Sequence, residues 1–428
     1  TSPARRLPRW RPALAEPTPF KSADPLDEIQ ANLADLDAAG LRRRRRIVTT
    51  PCAPDVHVAD RPDPVLAFCS NDYLGLAAEP ALIDTLARGA RHWGVGSGAS
   101  HLVSGHYASH QALETRLAAF TGMDDALYFS TGYMANIGVM PALVGRGDAI
   151  FADKVNHASL VDGALLSRAD FIRYPHCDLN ALAARLAASS APRKLIVTDG
   201  VFSMDGDLAR LPELLVLAER HDAYIVVDDA HGFGVLGEEG RGVLSHFGLR
   251  SERLICMGTL GKAAGAAGAF VAAHRVVIEW LVQSARAYIY TTASPPAVAH
   301  AVRASLRLIR GPEGEQRRRH LRELIAALRQ GVFEVLGDVL LERGWHLAES
   351  QTAIQPLIVG GSAEALAVAA GLESRGLWVP AIRPPTVPSG SARLRITLSA
   401  AHRHDDVKRL LSGLAAAARA AGEPGGAT

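Results

Sequence analysis

Two short apolar runs end in side chains that could do chemistry. Residues 254–260 read LICMGTL and lead into Gly261-Lys262-Ala263-Ala264-Gly265. Residues 224–234 read YIVVDDAHGFG, an apolar run followed by Asp228, Asp229 and His231. Runs of this length and composition predict buried strands, and ligands of open parallel sheets bind beyond strand ends. A lysine among glycines and alanines has little to pair with and room for a large group beside it. Singly, each of these residues reads as a solvated turn. Delivered together to one sheet edge, an amine, a carboxylate and an imidazole are the parts that hold pyridoxal phosphate (PLP). The lysine takes the cofactor's aldehyde, the carboxylate keeps the pyridine nitrogen protonated, and the histidine touches the ring oxygen. A third signal lies at 128–135, YFSTGYMA, where a strand runs through Ser-Thr-Gly into a helix. Such a junction points backbone N–H groups at an anion, as a phosphate requires.

The elements that must position these residues follow from periodicity. Strand patterns at 127–129, 149–152, 194–197, 225–227 and 254–257 alternate with helical patterns from 133, from 158 and over 212–221. Short, continuous apolar strands between amphipathic helices predict an α/β fold with a doubly wound, mostly parallel sheet. Gly132, Tyr133, His157, Ser203, Asp228, His231, Thr259 and Lys262 all fall at predicted strand ends. Ser294-Pro295-Pro296 closes this region. A long helix that begins over 297–309 and continues its period over 317–336, helices over 363–375 and 405–421, and strands over 354–359 and 393–398 predict a smaller C-terminal α/β domain. The expected division is a disordered Pro- and Arg-rich extension at 1–24, an N-terminal helical segment at 25–62, a large domain at 63–296 and a small domain at 297–428. In the helical segment Leu26, Ile29, Leu33, Leu36 and Leu41 recur at helical spacing. Five arginines, Arg42 to Arg46, follow. They read as a solvated helix end, or as a site for a carboxylate or a CoA phosphate.

Composition removes several function classes. The 428 residues carry a net charge of +2 and 48% hydrophobic residues, ordinary for a globular protein with no general attraction to nucleic acid. No run of some 18 apolar residues occurs, so no membrane-spanning helix is expected. Cys52, Cys69, Cys177 and Cys256 form no CxxC pair, which suits free thiols and a cytoplasmic location. The glycine-rich stretch 94–105 is not placed between a strand and the first helix of a βαβ unit, so it does not read as a dinucleotide site; a close-packed loop under the cofactor is expected there. His106 and His110 have metal-ligand spacing but no HExxH around them, and no metal is expected. GTLGK at 258–262 is too short for a phosphate-binding P-loop, and no GxSxG is present.

Taken in order along the chain, SNDYLGL (70–76), GSGASHLVSG (96–105), HASL (157–160), TDGVFSMDGD (198–207), VDDAHGFG (227–234) and GTLGKAAG (258–265) resemble the α-oxoamine synthases, PLP enzymes of fold type I. The resemblance runs from about residue 27 to the last helix. It departs at Asp199, often Glu in the family, and at Tyr133, often Phe. It implies that Lys262 anchors the cofactor, Asp228 pairs with the pyridinium, His231 bonds the phenolic oxygen and His157 stacks on the ring. It also implies that Gly132, Tyr133 and Thr259 hold the phosphate and that Ser203 contacts the cofactor. Arg395 and Asn71 would hold the amino-acid carboxylate, and Arg42 and Thr386 would contact substrate. The family's homodimers place Thr291 and Thr292 toward the partner's phosphate. Within the family, AIRPPTVPSG (381–390) with RLRITLSAAH (393–402) is most similar to the members that join L-alanine to a pimeloyl thioester; glycine-using sister enzymes are the alternative. A non-catalytic subunit is disfavoured because Lys262, Asp228 and His231 are all present.

Overall fold

A computed structural model of the chain describes residues 24–39 and 41–421. The extension expected at 1–24 lies, but for Asp24, outside the described residues. The large sheet has seven strands: β3 (Asp125–Phe129), β4 (Ala149–Asp153), β5 (Asp170–Tyr174), β6 (Lys194–Asp199), β7 (Ala223–Asp228), β8 (Leu254–Thr259) and β9 (Ala269–Ala273). Their order is β3-β9-β8-β7-β6-β4-β5. The five strands from β8 to β5 are parallel, and β9 runs antiparallel to both of its neighbours. The central strands are apolar throughout because both of their faces are covered. Leu195, Val197, Val226, Ile255 and Met257 enter the core on one face, and Ile196, Ile225, Val227, Leu254 and Cys256 that on the other. Strands β5 and β9 have no counterpart in the sequence-based expectations.

Helices α1 (Pro25–Ala38), α2 (Pro80–Trp93), α3 (Ala108–Thr121), α4 (Gly132–Leu143), α5 (Ala158–Ser167), α6 (Leu179–Ala187) and α7 (Leu211–Arg220) precede or alternate with these strands. Two begin at the crevice. Thr131 caps α4, its hydroxyl accepting from the Met134 N–H, and the His157 ring caps α5 by accepting from the Ser159 N–H. The helical pattern expected from 297 to 336 is two helices, Pro296–Arg310 and Pro312–Arg343, broken at Gly311-Pro312. Proline fits the first turn of a helix, where its missing N–H has no partner to lose.

The C-terminal sheet orders β10 (His346–Leu347), β11 (Ile354–Gly360), β14 (Ala392–Thr397) and β13 (Ala381–Ile382) as β10-β11-β14-β13, all antiparallel. Along β14 the pleat sends Leu394 and Ile396 into the core and Arg393 and Arg395 to the other face. A third, small sheet joins β1 (Asp55–Val56), β2 (Val65–Ala67) and β12 (Leu377–Trp378). Residues 65–67 therefore hydrogen-bond to the C-terminal part of the chain. The arginine run divides: Arg42 and Arg44 pair with Asp37, while Arg46 pairs with Glu373 and lies over the Trp378 ring. Among the described residues no helix is long and apolar enough to cross a membrane, and the four cysteines are free thiols.

Candidate active site

Strands β6, β7 and β8 end on Asp199, Asp228 and Thr259. A cavity of about 190 Å³ opens at this edge. It is lined by Gly132, Tyr133, His157, Ser159, Asp199, Asp228, Ala230, His231, Met257, Thr259 and Lys262. Seven of the expected residues thus meet in one place, although 130 positions separate Gly132 from Lys262 (262 − 132).

Lys262 sits in a turn after β8 that is closed by a Gly265 N–H bond to its carbonyl at 2.8 Å. Its Nζ stands 2.9 Å from His231 Nε2. Burial lowers the lysine pKa from its ordinary value, against the pull of Asp228 and Asp199 and with help from the Arg395 charge. Burial likewise holds His231 well below the usual histidine range, reinforced by the Lys262 and Arg395 cations. His231 Nδ1 lies 2.5 Å from the Tyr73 hydroxyl, and that hydroxyl donates to Asn71 Oδ1 at 3.2 Å. Burial raises the Tyr73 phenol to about 12, so it remains an O–H.

Asp228 accepts from the Ala230 N–H at 3.0 Å and from Asn136 Nδ2 at 2.8 Å. The adjacent Asp229 faces away from the cavity, accepting from the Val243 N–H at 2.9 Å. Burial, with the nearby Asp228, pushes the Asp229 carboxyl well above the ordinary aspartate value. The two neighbouring aspartates thus divide: one serves the cavity and one is packed into the protein.

Arg395 is buried, and its three bonds all go to neutral acceptors: Ser203 O at 2.7 Å, Thr397 Oγ1 at 3.0 Å and Asn71 Oδ1 at 3.4 Å. Ser203 therefore meets Arg395 through its carbonyl and is not a wall of the cavity. Thr386 is exposed, its N–H donating to Arg383 O at 3.0 Å. Arg42 is exposed and bonded to Asp37. Thr291 and Thr292 do not line the cavity within one chain. None of residues 94–105 lines the cavity in one chain: Gly96 and Gly98 face open space, while Ser97, whose Oγ donates to Ser294 O at 2.5 Å, and Gly105, set against the Ala99 carbonyl, are closely packed. His101, His106 and His110 cluster, but His110 already accepts from the Tyr107 N–H and donates to Ser294 O.

Sequence patterns did not reveal Asn136, Ser159, Tyr73 and Asp199 as parts of the site. Ser159 and Tyr73 lie inside the HASL and SNDYLGL motifs, which is a signal. Asn136 sits one helical turn beyond the phosphate-type junction, and only the fold brings it to Asp228.

The residues present fit PLP. A half-buried lysine with a lowered pKa faces the cavity, a carboxylate with two N–H donors lines the same cavity, and the first turn of α4 offers backbone donors at Gly132 and Tyr133. Fold and crevice together are those of fold type I PLP-dependent enzymes. Residues 63–414 match the class I and II aminotransferases. An 8-amino-7-oxononanoate synthase of Polaromonas naphthalenivorans is 63% identical over 401 residues, covering 92% of this chain and 98% of that one. A solved 8-amino-7-oxononanoate synthase from Francisella tularensis has a TM-score of 0.70 at 30% identity, over 82% of this chain and 97% of that one. A serine palmitoyltransferase from S. paucimobilis with a PLP–myriocin adduct bound has a TM-score of 0.84 at 29% identity, over 93% and 98%. The chain belongs to the class I and II aminotransferase family, in its 8-amino-7-oxononanoate synthase branch, and PLP is its cofactor.

Proposed function

We propose that the chain condenses L-alanine with pimeloyl-CoA, or pimeloyl carrier protein, to 8-amino-7-oxononanoate, the free thiol and CO2, a step of biotin biosynthesis. The observation that carries this reading is 63% identity to a synthase of that name over nearly its whole length. Bound PLP supplies the electron sink that makes deprotonation and decarboxylation at the amino-acid α-carbon feasible. The chain's own residues do the rest. Lys262 would hold the cofactor and, as a neutral amine, move the α-proton; its lowered pKa suits that task. Asp228 would hold the proton on the pyridine nitrogen, and His231 would bond the phenolic oxygen. His157 would lie on the ring face, and Gly132, Tyr133 and Thr259 would take the phosphate. Ser203, whose turn holds Arg395 through the Ser203 carbonyl, would contact the cofactor.

Arg395 and Asn71 suit the alanine carboxylate. A buried guanidinium with no acidic partner among the described residues favours a ligand that brings one. Arg42 and Thr386 would serve the pimeloyl chain. Both lie on the surface of a single chain, so this role goes with a homodimer in which a second copy covers them. Support for the dimer comes from the uncovered apolar face of α1, where Leu26, Ile29, Leu33 and Leu36 stand exposed, and from exposed Val95, Val103 and Tyr290. The protein is proposed to be cytoplasmic, in keeping with its free thiols.

The test is turnover of the PLP-loaded protein with alanine, glycine and serine against pimeloyl-CoA, acetyl-CoA and palmitoyl-CoA. Product with alanine and the pimeloyl donor is expected. A preference for glycine or serine would move the chain to a sister activity.

A further inference from the structure

A hydrogen-bonded chain through Asn136, behind the cavity wall, and Ser159, on it, joins Asp228 to His157. Asn136 Nδ2 donates to Asp228 Oδ2 at 2.8 Å and to Ser159 Oγ at 2.9 Å. Ser159 Oγ stands 2.8 Å from His157 Nδ1, and the Ser159 N–H points at the same nitrogen at 3.3 Å. The proton positions follow from these contacts. Both amide hydrogens of Asn136 go to acceptors. Ser159 Oγ, having accepted one, gives its own hydrogen to His157 Nδ1. Turned over, the amide would set its oxygen against the Asp228 carboxylate. In the observed orientation Asn136 Oδ1 is buried without a partner, a cost borne to keep the donors on these two acceptors. His157 Nδ1 thus holds a lone pair that receives two donors, and Nε2 carries the proton. Nε2 has no partner among the described residues, so it is a donor presented to the cavity.

We infer that Asn136 and Ser159 are positioning residues: Ser159 locks His157 as the neutral Nε2–H tautomer, and Asn136 fixes the Asp228 carboxylate while joining the two walls of the site. The inference rests on the cavity being the PLP site. It goes further in assigning the state of His157 to Ser159, on the cavity wall, and to Asn136, one layer behind it. Desolvation within the crevice, first, and the Lys262 charge lower the His157 pKa against the pull of Asp228 and Asp162, although in one chain the residue keeps an exposed face. Its position as N-cap of α5 also sets Nδ1 at the positive end of that helix. The other ionisable neighbours are Asp199, which accepts the His157 backbone N–H at 2.7 Å, and His231.

The experiment uses PLP-loaded wild type, Ser159→Ala, Ser159→Thr and Asn136→Asp. Absorbance titration gives the PLP affinity, then the L-alanine affinity as a function of pH. Ser159→Ala should keep PLP yet bind alanine on the order of ten-fold more weakly. The acid limb of its pH profile should move to higher pH, because Nδ1 keeps only the weaker of its two donors, the backbone N–H at 3.3 Å, and takes a proton more readily. Ser159→Thr, which keeps the hydroxyl, should restore both. Asn136→Asp, which sets a second carboxylate beside Asp228, should weaken PLP itself by on the order of ten-fold. The inference is overturned if Ser159→Ala matches wild type, or if the Ala and Thr variants are equally impaired, as a packing role requires. Should Ser159→Ala fail to fold, the ¹⁵N spectrum of histidine-labelled wild type, assigned with His157→Gln, decides: a protonated Nδ1 overturns the inference. Wild type that binds no PLP would sink the cofactor reading, and the inference with it.

Discussion

Lys262 Nζ lies 2.9 Å from His231 Nε2, deep enough that burial lowers the pKa of both. Two like-signed groups at this distance cannot both be charged cheaply. A neutral imidazole accepting from the lysine resolves the conflict. His231 then donates to the Tyr73 hydroxyl, and Tyr73 donates to Asn71. The lysine is held in place by a neutral partner that does not add to its charge, which suits the nucleophile and proton carrier proposed for it.

Reduction of the PLP-loaded protein with borohydride, followed by peptide mapping, should place the label on Lys262. Lys262→Ala should fold and bind PLP without a covalent bond, with turnover lowered by ~10³-fold or more. A label on any other lysine would displace it from the proposed role.

The adjacent aspartates give a paired test. Asp228→Asn should cost on the order of 10³-fold in turnover, because the carboxylate proposed to face the ring nitrogen is lost while the shape remains. Asp229→Asn should leave turnover close to wild type, because that carboxyl faces the Val243 N–H and not the cavity. Its effect should appear in stability. The folded-state pKa of Asp229 lies well above 3.8, so its contribution is full below that value and is lost as pH rises through the folded pKa. Denaturant unfolding at several pH values should therefore show Asp229→Asn gaining on wild type as pH rises. Loss of turnover in Asp229→Asn alone would exchange the two roles.

The strands and their terminal residues were legible because β6, β7 and β8 are buried on both faces and read as unbroken apolar runs. Strand β5, DFIRY, escaped because it is an edge strand whose residues are mostly half-buried, so it carries polar residues. Strand β9, AFVAA, is alanine-rich and packs by being small, which leaves little β signal. In the site, residues at strand ends announced themselves, and residues one layer behind did not. Asn136 touches Asp228 across 92 positions of sequence, and no local pattern encodes such a contact. The arginine run shows the same limit, since Glu373, the partner of Arg46, lies 327 residues away.

His176 ties the β5 end to the turn that carries Ser203. Its Nδ1 lies 3.1 Å from Asp153 Oδ1 and its Nε2 2.9 Å from Asp207 Oδ2. Burial alone would lower its pKa, but the two carboxylates outweigh burial and push it up to about 12. The stabilisation is full below the ordinary value of 6.5 and is lost as pH rises toward about 12. His176→Gln should therefore destabilise the protein most at neutral and acid pH and progressively less in alkali. Because the same turn holds Arg395 through Ser203 O, KM for alanine should rise more than KM for the acyl donor. An unchanged alanine KM would detach the turn from carboxylate binding.

Arg395 and Arg42 differ in what already neutralises them. Arg395 is buried against a carbonyl, a hydroxyl and an amide oxygen, with no carboxylate among the described residues. Such a guanidinium is destabilising until a ligand supplies the anion, and the bond it then makes is strong. Arg395→Ala should raise KM for alanine by about 10- to 100-fold, with the pimeloyl donor far less affected. Arg42 already has Asp37 and stands in solvent, where an ion pair is worth little. If Arg42 reads the free carboxylate of the pimeloyl chain, it must exchange Asp37 for it, and the gain is small. Arg42→Ala should then raise the donor KM only about three-fold, leave the alanine KM unchanged, and lose its effect with a donor that lacks the terminal carboxylate. Asp37→Ala should lower the donor KM, because the competing anion is gone. If neither variant moves the donor KM, the terminal carboxylate is read elsewhere, and Arg383, in the proline-stiffened loop beside Thr386, is the next arginine to change.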